Sequence, residues 1–260
     1  MEQIDKNRFH LQKMAVNYDK MCQITVPGYD FLQNAVIDIL KFEGMEEVVL
    51  LDLGAGSGIL IEKVLKEFPN STCYYLDFSD EFMSVAKERL NKYGNRVNYI
   101  KYDFCKNWES KITEKPNIIT SMSAIHHLQT ENKKKLYQKC YDMLEEGGWF
   151  FNIDEMKTLT EDTYMKNLQY WAYHAEKQKY SIPDELSNSY DMWMEKFSNW
   201  KKRNIDNIHL PKQEGDDIHE PFLAQINWLK EIGFTRTDIF SKHLLWCLIG
   251  GKKSLKRRLK

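Results

Sequence analysis

The chain has 260 residues, of which 37 are basic and 38 acidic, so its formal net charge is −1 at neutral pH. This balance argues against a function that depends on a strong overall attraction to nucleic acid or to an anionic membrane. No apolar run approaches the roughly 20 residues of a membrane helix, and the charged N-terminus lacks the apolar centre of a signal peptide. The cysteines lie far apart without a CxxC pair, which is typical of a reducing compartment. We therefore expect a cytoplasmic protein.

Strand-like and helical patterns alternate along the first 156 residues. An amphipathic helical region at 8–42 precedes the first predicted strand, which is the apolar run VVLLDL at 48–53. Helical patterns then separate four further strand-like runs: TCYYLD (72–77), VNYIKYD (97–103), NIITS (117–121) and WFFNID (149–154). This alternation predicts a parallel sheet with right-handed crossovers.

Two later regions depart from the alternation. Residues 155–232 are helical and strongly aromatic, which favours a cap over the strand ends; its exposed part can serve as a lid or as a homodimer surface. The run GFTRTDIFSKHLLWCLIGGKK predicts two long strands that form a hairpin. We thus expect a Rossmann-like, doubly wound α/β sheet of seven strands, mostly parallel, with an antiparallel C-terminal hairpin and a helical cap.

The same patterns divide the chain into five parts. The expected division is an N-terminal helical lid (1–45), an α/β core (46–156), an aromatic cap insertion (157–225), the end of the core with its hairpin (226–251) and a basic tail (252–260). We expect the tail to be solvated; contact with RNA or phosphate is the alternative.

The first strand runs into the glycine turn LDLGAGSG. Gly54, Gly56 and Gly58 stand at every second position, whereas a dinucleotide fingerprint requires a glycine where Ile59 stands. Asp52 lies two residues before the first glycine, where a carboxylate would repel a pyrophosphate. The turn therefore favours a ligand that carries a positive centre and no phosphate.

Five ordered runs resemble motifs of class I S-adenosylmethionine-dependent methyltransferases. They are LDLGAGSG, YYLDFSDEFM, YIKYDFCKNW, IITSMSAIHHL and LEEGGWFFNIDE, and with LKEIGF the resemblance covers 48–156 and 226–251. It implies S-adenosylmethionine as the cofactor, with Asp77 on the ribose hydroxyls, Asp103 on the adenine amino group and the Phe104 N–H on a ring nitrogen. Alternatively, Asp77 caps the helix that follows and Asp103 is an ordinary strand-end acid. Phe78 and Met83 either line the adenine slot or belong to the core.

A segment before the sheet, VPGYDF, resembles carboxy-S-adenosylmethionine synthases, which support wobble-uridine modification in tRNA. That resemblance implies that Tyr29 contacts the cofactor and that Met122 lies near its methionine portion. The same family grips the added carboxylate with an arginine shortly before the final helix. The stretch KQEGDDIHEPFLAQINWL has no arginine, and its acids would repel a carboxylate. Ordinary methyl transfer is therefore favoured over synthesis of the carboxylated cofactor.

The expected cofactor contacts combine these motifs with the N-terminal segment. They are Tyr18, Tyr29, Asp52, Gly54, Ala55, Gly56, Gly58, Asp77, Phe78, Met83, Asp103, Phe104 and Met122.

Candidate catalytic residues follow strands 4 and 5. We expect His126, His127 and Asp154 to serve there, with one histidine pointing inward as a structural residue and the other titrating near neutral pH. The expected acceptor pocket consists of Tyr164, Trp171, Trp193 and His219; solvent or loop contact is the alternative for His219. A metal site built from His127, His219, Glu220 and Asp154 matches no known ligand spacing, so we expect no metal.

Several functions compete at this stage. Methyl transfer to a small molecule in a capped pocket is favoured, because an aromatic insertion suits a compact acceptor. An RNA-directed enzyme related to the carboxy-S-adenosylmethionine synthases is the alternative, although the near-neutral charge argues against nucleic acid as a partner. A nicotinamide-dependent oxidoreductase is disfavoured by Ile59 and Asp52, and a non-catalytic binding protein ranks lowest. The sequence does not identify the acceptor atom.

Overall fold

The computed structural model describes residues 15–212 and 216–255. These residues form a seven-stranded sheet. Its strands are β1 (Val49–Leu53), β2 (Thr72–Asp77), β3 (Val97–Lys101), β4 (Ile118–Met122), β5 (Trp149–Glu155), β6 (Phe234–His243) and β7 (Trp246–Lys253).

The strand order is β3-β2-β1-β4-β5-β7-β6. Strands β1 to β5 pair in parallel, and β7 is antiparallel to both of its neighbours, β5 and β6. The order reverses between β1 and β4, which is where ligands bind in open α/β sheets. The predicted fold class is confirmed, although β4 begins one residue later than NIITS implies and β3 ends two residues before the predicted end of its run.

Helices cover both faces of the sheet. They are α1 (Tyr18–Thr25), α2 (Tyr29–Phe42), α3 (Ile59–Glu67), α4 (Asp80–Leu90), α5 (Thr130–Met143), α6 (Glu161–Lys177), α7 (Ser187–Lys201) and α8 (Phe222–Ile232). Apolar residues of α2, α3, α4, α6 and α7 join one core cluster, whereas those of α5 and α8 join the cluster on the opposite face. Burial on both faces explains why β1 and β5 read as continuous apolar runs.

The aromatic insertion supplies part of the first core. The Trp171 ring lies 4.3 Å from the Trp200 ring and 5.5 Å from the Trp246 ring, and its Nε1 donates a hydrogen bond to the carbonyl of Thr25 at 2.8 Å. Trp171 therefore joins α6 to α1, α7 and β7, while Tyr173 on the same helix is exposed. The predicted boundaries of lid and cap stay predictions, and residues 1–14 of the lid lie outside the described residues.

The C-terminal strand extends past the predicted start of the basic tail. Lys252 pairs with Glu43 at 2.6 Å, and the Lys253 Nζ donates to the carbonyls of Tyr141 and Leu144 at 2.8 Å. The expectation of a solvated tail is therefore wrong for these two lysines; residues 256–260 lie outside the described part of the chain. None of the helices in that part has the length and apolar composition needed to cross a membrane.

Candidate active site

The glycine turn connects β1 to α3 through backbone that glycine adopts readily. Gly54, Gly56 and Gly58 have φ values of 68°, 52° and 75°. A Cβ atom on Gly54 would lie 2.6 Å from the Cβ of Ala124, and one on Gly58 would lie 2.9 Å from a methyl carbon of Leu90. The turn is therefore too tightly packed for larger residues at these two positions, and its backbone stays close to the carboxyl ends of β1 and β4.

Asp77 links this turn to the loop after β2. Its carboxylate accepts hydrogen bonds from the backbone N–H groups of Gly56 and Ser79, both at 2.9 Å. The side chain of Ser79, not that of Asp77, caps α4 by accepting from the Phe82 N–H at 3.2 Å. Burial raises the pKa of Asp77, and the backbone N–H groups offset part of that rise. Binding of the ribose by Asp77 stays a prediction.

Asp52 is a second buried carboxylate near the turn. It accepts a hydrogen bond from the Thr120 hydroxyl on β4 at 2.7 Å. Burial, together with the neighbouring charge of Asp77, raises the pKa of Asp52 to about 7, although the Thr120 hydrogen bond opposes the rise. Two acids in one buried region make it unfavourable for a pyrophosphate and favourable for a cationic ligand. This agrees with the sequence argument from Asp52.

The other predicted cofactor residues differ in exposure. Ala55, Asp103 and Met122 are partly exposed, as are Gly54 and Gly56, whereas Gly58 is buried. The Asp103 carboxylate accepts from the Cys105 N–H at 2.8 Å, so it stabilises its own loop, as the strand-end alternative proposes. Contact of Asp103 with adenine stays a prediction.

The aromatic and sulfur-containing residues of the predicted cofactor site also differ in burial. Phe78 is exposed and Phe104 is buried, while Met83 belongs to the core cluster, as one of the two interpretations proposes.

Helix α2 contributes a residue that sequence reasoning missed. The Gln33 Nε2 donates to the Met122 sulfur at 3.2 Å, while the buried Gln33 Oε1 has no hydrogen-bond partner among the described residues. Tyr29, four residues earlier on the same helix, is buried, and this burial raises its pKa. A polar residue on the buried face of an amphipathic helix is the sequence signal that identifies Gln33. Its free carbonyl oxygen suits a ligand that carries a donor group.

Helix α1 is joined to the glycine turn by a buried acid. Asp19 accepts from the Ser57 hydroxyl and forms an ion pair with Arg89 of α4. The ring of Tyr18, the preceding residue, lies 5.0 Å from Phe82 and 5.6 Å from Trp193. The N-terminal segment therefore covers the turn, and sequence reasoning identified Tyr18 but missed Asp19.

The predicted catalytic residues meet at the carboxyl ends of β4 and β5. The Asp154 carboxylate lies 2.5 Å from the His126 Nδ1 and accepts from the His126 backbone N–H at 2.8 Å. Burial lowers the pKa of His126, but the charge and hydrogen bond of Asp154, together with the charges of Glu155 and Asp217, outweigh burial and raise the pKa to about 9. His126 is thus the inward histidine, while the side chain of His127 is 25% exposed.

Asp217 joins this group from the stretch whose acids the sequence argument considered only as repelling a carboxylate. Its Oδ1 lies 3.1 Å from the His127 Nδ1 and 3.8 Å from the His126 Nε2. The Ile218 N–H donates to the His126 carbonyl at 2.8 Å, and the buried Lys133 donates to the Ile218 carbonyl. These backbone contacts fix the positions of Asp217 and His219 on either side of Ile218.

His219 is buried, so the alternative of solvent contact is wrong. Its Nε2 lies 3.0 Å from the Glu155 carboxylate, and the Tyr164 hydroxyl contacts its Nδ1 at 2.6 Å. Of the expected acceptor pocket, Tyr164 and His219 are thus in contact, whereas Trp171 packs in the aromatic core and Trp193 packs against Tyr18. The pocket as a whole stays a prediction.

Comparison with known proteins identifies the family. Residues 51–150 match the model of a methyltransferase domain. The chain is 23% identical over 229 residues to carboxy-S-adenosyl-L-methionine synthase of Nautilia profundicola, which covers 88% of this chain and 87% of that protein. It is 31% identical over 158 residues to malonyl-[acyl-carrier protein] O-methyltransferase 2 of Ilyobacter polytropus, covering 60% of this chain and 57% of that protein.

The fold is also similar to solved structures. Magnesium protoporphyrin IX methyltransferase from Synechocystis PCC 6803, with bound S-adenosylhomocysteine, superposes with a TM-score of 0.62 at 13% identity, covering 96% of this chain and 98% of that one. Strand order, glycine turn and family match agree. The chain therefore contains a class I S-adenosylmethionine-dependent methyltransferase domain.

Proposed function

We propose that the protein transfers the methyl group of S-adenosylmethionine to a small-molecule acceptor at the carboxyl ends of β4 and β5. The observation that carries the proposal is the pair of buried acids, Asp52 and Asp77, at the glycine turn. Their pKa values are raised by burial, so a cationic ligand that enters would stabilise the ionised carboxylates. The unpartnered Gln33 Oε1 adds an acceptor for a donor such as an ammonium group. These features fit S-adenosylmethionine better than a pyrophosphate.

Three groups of residues would each bind one part of the cofactor. Asp77 would accept from the ribose hydroxyls, Asp103 and Phe104 would meet the adenine, and Gln33 with Met122 would border the methionine portion. When bound, the cofactor supplies a methyl group that its sulfonium already activates, so the protein has to orient the acceptor and exclude water.

The elements around the site support a compact acceptor. Tyr18 of α1 packs against Trp193 of α7, and the neighbouring Asp19 contacts the glycine turn at Ser57. The buried contact of Tyr164 with His219 lies beside His126. The similar proteins named above include methyltransferases of magnesium protoporphyrin IX and of a malonyl group on acyl-carrier protein. As part of the proposal, we infer from these proteins that the acceptor of this chain is also a small molecule or a small group.

Synthesis of the carboxylated cofactor is the second candidate. It is favoured by the length of the match to carboxy-S-adenosyl-L-methionine synthase, which spans 88% of this chain. Against it, the loop that precedes α8 places the buried Asp217 next to the histidines, where an added carboxylate would be repelled. Mass spectrometry of small molecules released from the purified protein distinguishes the two, because the carboxylated cofactor is heavier.

Calorimetric titration with S-adenosylmethionine, S-adenosylhomocysteine and NADH tests the proposed function first. We expect both adenosyl ligands to bind and NADH to give no heat. Binding of NADH without the adenosyl ligands would overturn the assignment. Screening of small acceptors follows, with release of S-adenosylhomocysteine as the readout; failure of every acceptor while the carboxylated cofactor is recovered would favour the second candidate.

A further inference from the structure

We propose that His126, His127 and Asp217 bind one divalent transition-metal ion at the carboxyl end of β4. The sequence predicts no metal, because the set considered there, with His219, Glu220 and Asp154, has no known ligand spacing. The structure groups a different set: one donor atom from each of the three residues lies within 4.8 Å of the others. Glu220 instead accepts from the Thr130 hydroxyl.

The separations of the donor atoms suit an ion at their centre. With metal–ligand bonds of about 2.0–2.2 Å, neighbouring donor atoms lie about 3 Å apart in an octahedral site and somewhat farther apart in a tetrahedral one. The Asp217 Oδ1 is 3.1 Å from the His127 Nδ1 and 3.8 Å from the His126 Nε2. The shorter separation matches an octahedral site, and the longer one requires the His126 and Asp217 side chains to move toward the ion.

Both buried ligands have a second hydrogen-bonding contact that fixes their orientation. The Asp154 carboxylate contacts the Nδ1 of His126 at 2.5 Å, which leaves the Nε2 directed toward Asp217. The Asn204 amide donates to the Asp217 Oδ2 at 3.3 Å, which leaves the Oδ1 for the histidines. A carboxylate on the far nitrogen of a histidine and a hydrogen bond on a ligating carboxylate are regular features of protein metal sites.

The surrounding charge favours a cation. Asp154, Glu155 and Asp217 are each at most 5% exposed, and Lys133 is the buried lysine that neighbours them. Buried carboxylates of this number are compensated by protons, by cationic side chains or by a metal ion. A divalent ion between Asp217 and the histidines would displace a proton from the imidazoles and place a larger positive charge beside these carboxylates.

The donor set determines the class of ion. Two imidazoles with one carboxylate suit zinc, cobalt, iron or manganese, whereas magnesium and calcium prefer oxygen ligands. Three protein ligands leave a further position for water or substrate, as in catalytic zinc sites. If the proposed function is correct, this position would bind an oxygen or nitrogen atom of the acceptor, and His127 would act as a ligand instead of as a base.

Metal titration of the chelator-stripped full-length protein tests the proposal. Calorimetry with ZnCl₂ and visible absorption with CoCl₂ should both give one ion per chain. Asp217→Asn and His127→Gln should each weaken cobalt binding at least about tenfold, and Asn204→Ala should weaken it about 10–100-fold through the orientation of Asp217. His209→Gln, the same change at an exposed loop histidine, should leave binding unchanged.

Thermal melting and calorimetry with S-adenosylmethionine accompany each variant, so that unfolding is not mistaken for loss of a ligand. Failure of the wild-type protein to bind stoichiometric cobalt or zinc while it still binds S-adenosylmethionine would overturn the metal site and leave the proposed function intact. Equal cobalt affinity of Asp217→Asn and the wild type would also overturn it. The three residues would then form a proton-bridged network of histidine and acid.

Discussion

At the scale of single residues, Asp52 links pH to stability. Its ordinary pKa of 3.8 is raised to about 7 in the folded protein, mainly by burial. Between these values the folded protein binds this proton more tightly than the unfolded chain does, so the contribution of Asp52 to stability falls as the pH rises. The free energy of unfolding of the wild type should therefore decrease between pH 5 and 8, and we expect Asp52→Asn to make this decrease smaller by about 1–3 kcal/mol. Unfolding in urea at each pH measures it.

The matched control for Asp52 is Asp38→Asn, the same change on the exposed face of α2. It should leave the pH dependence as it is in the wild type. A wild-type protein whose stability rises through this pH range, with the same rise in Asp52→Asn, would contradict the assignment of the titration to Asp52.

Asp77 should matter for the cofactor and, to a smaller degree, for the fold. Because its carboxylate accepts from both Gly56 and Ser79, Asp77→Ala should cost about 1–3 kcal/mol of unfolding free energy. If Asp77 also binds the ribose, the affinity for S-adenosylmethionine should fall at least tenfold, which is about 1.4 kcal/mol. Calorimetry on the folded variant measures this.

Asp80→Ala provides the comparison, since Asp80 is an exposed acid in the first turn of α4. Its affinity for the cofactor should match that of the wild type. An Asp77→Ala variant that also binds with wild-type affinity would show that Asp77 has a structural role.

Residues could be assigned from sequence where a local pattern fixes their position. The three glycines follow β1 and Asp77 ends β2. Because the apolar runs of both strands are evident, the place of these residues at the carboxyl ends of the strands was predictable. Gln33 and Asp217 were missed for different reasons. Gln33 has a signal that was overlooked, since it is a polar residue on the buried face of an amphipathic helix, whereas Asp217 lies in a segment without periodicity.

At the scale of elements, the contact of Arg89 with α1 holds the N-terminal helix in place. The guanidinium contacts Asp19, Glu62 and the Ser57 carbonyl. Arg89→Ala would leave Asp19 buried without its ion-pair partner, so it should cost about 1–3 kcal/mol and increase hydrogen exchange in α1. Exchange measured by mass spectrometry on peptides of residues 18–25 reports this.

Lys92→Ala is the matched control for Arg89→Ala, because Lys92 forms an ion pair with the same Glu62 from an exposed position. It should leave both the stability and the exchange of α1 unchanged. Equal exchange in the two variants would contradict a role of Arg89 in holding α1.

The aromatic insertion should be held chiefly by Trp171. Removing its ring from contact with Trp200 and Trp246, together with its hydrogen bond to Thr25, should cost about 3–5 kcal/mol in Trp171→Ala. Tyr173→Ala on the exposed side of the same helix should change the stability little. Urea unfolding followed by circular dichroism compares them; similar losses would mean that α6 is held by its whole surface.

Element types were predictable where periodicity is strong, and their packing was not. The aromatic density of 164–200 indicated burial against something, but nothing local specifies that α6 contacts α1 and β7. The turn of π-helix at Lys202–Asp206, which carries Asn204 toward Asp217, has no signal in the sequence.

At the scale of the whole molecule, the fold was predictable and the histidine cluster was not. Alternating apolar runs determine a parallel sheet through local rules of strand and crossover geometry. The cluster combines residues after β4, at the end of β5 and in the loop before α8. His126 and Asp154 are 28 residues apart along the chain, and Asp217 comes from a loop still farther on. Such contacts depend on how the loops pack, which no local pattern encodes.

The position of β7 between β5 and β6 has a consequence for the newly made chain. Strand β5 is buried along its whole length and pairs with β7, which follows about 90 residues later. Until β7 has been synthesised, β5 presents an apolar, unpaired edge of the kind that promotes aggregation. Translation pauses between the two strands, or refolding at high protein concentration, should therefore divert chains into aggregates before the sheet is complete.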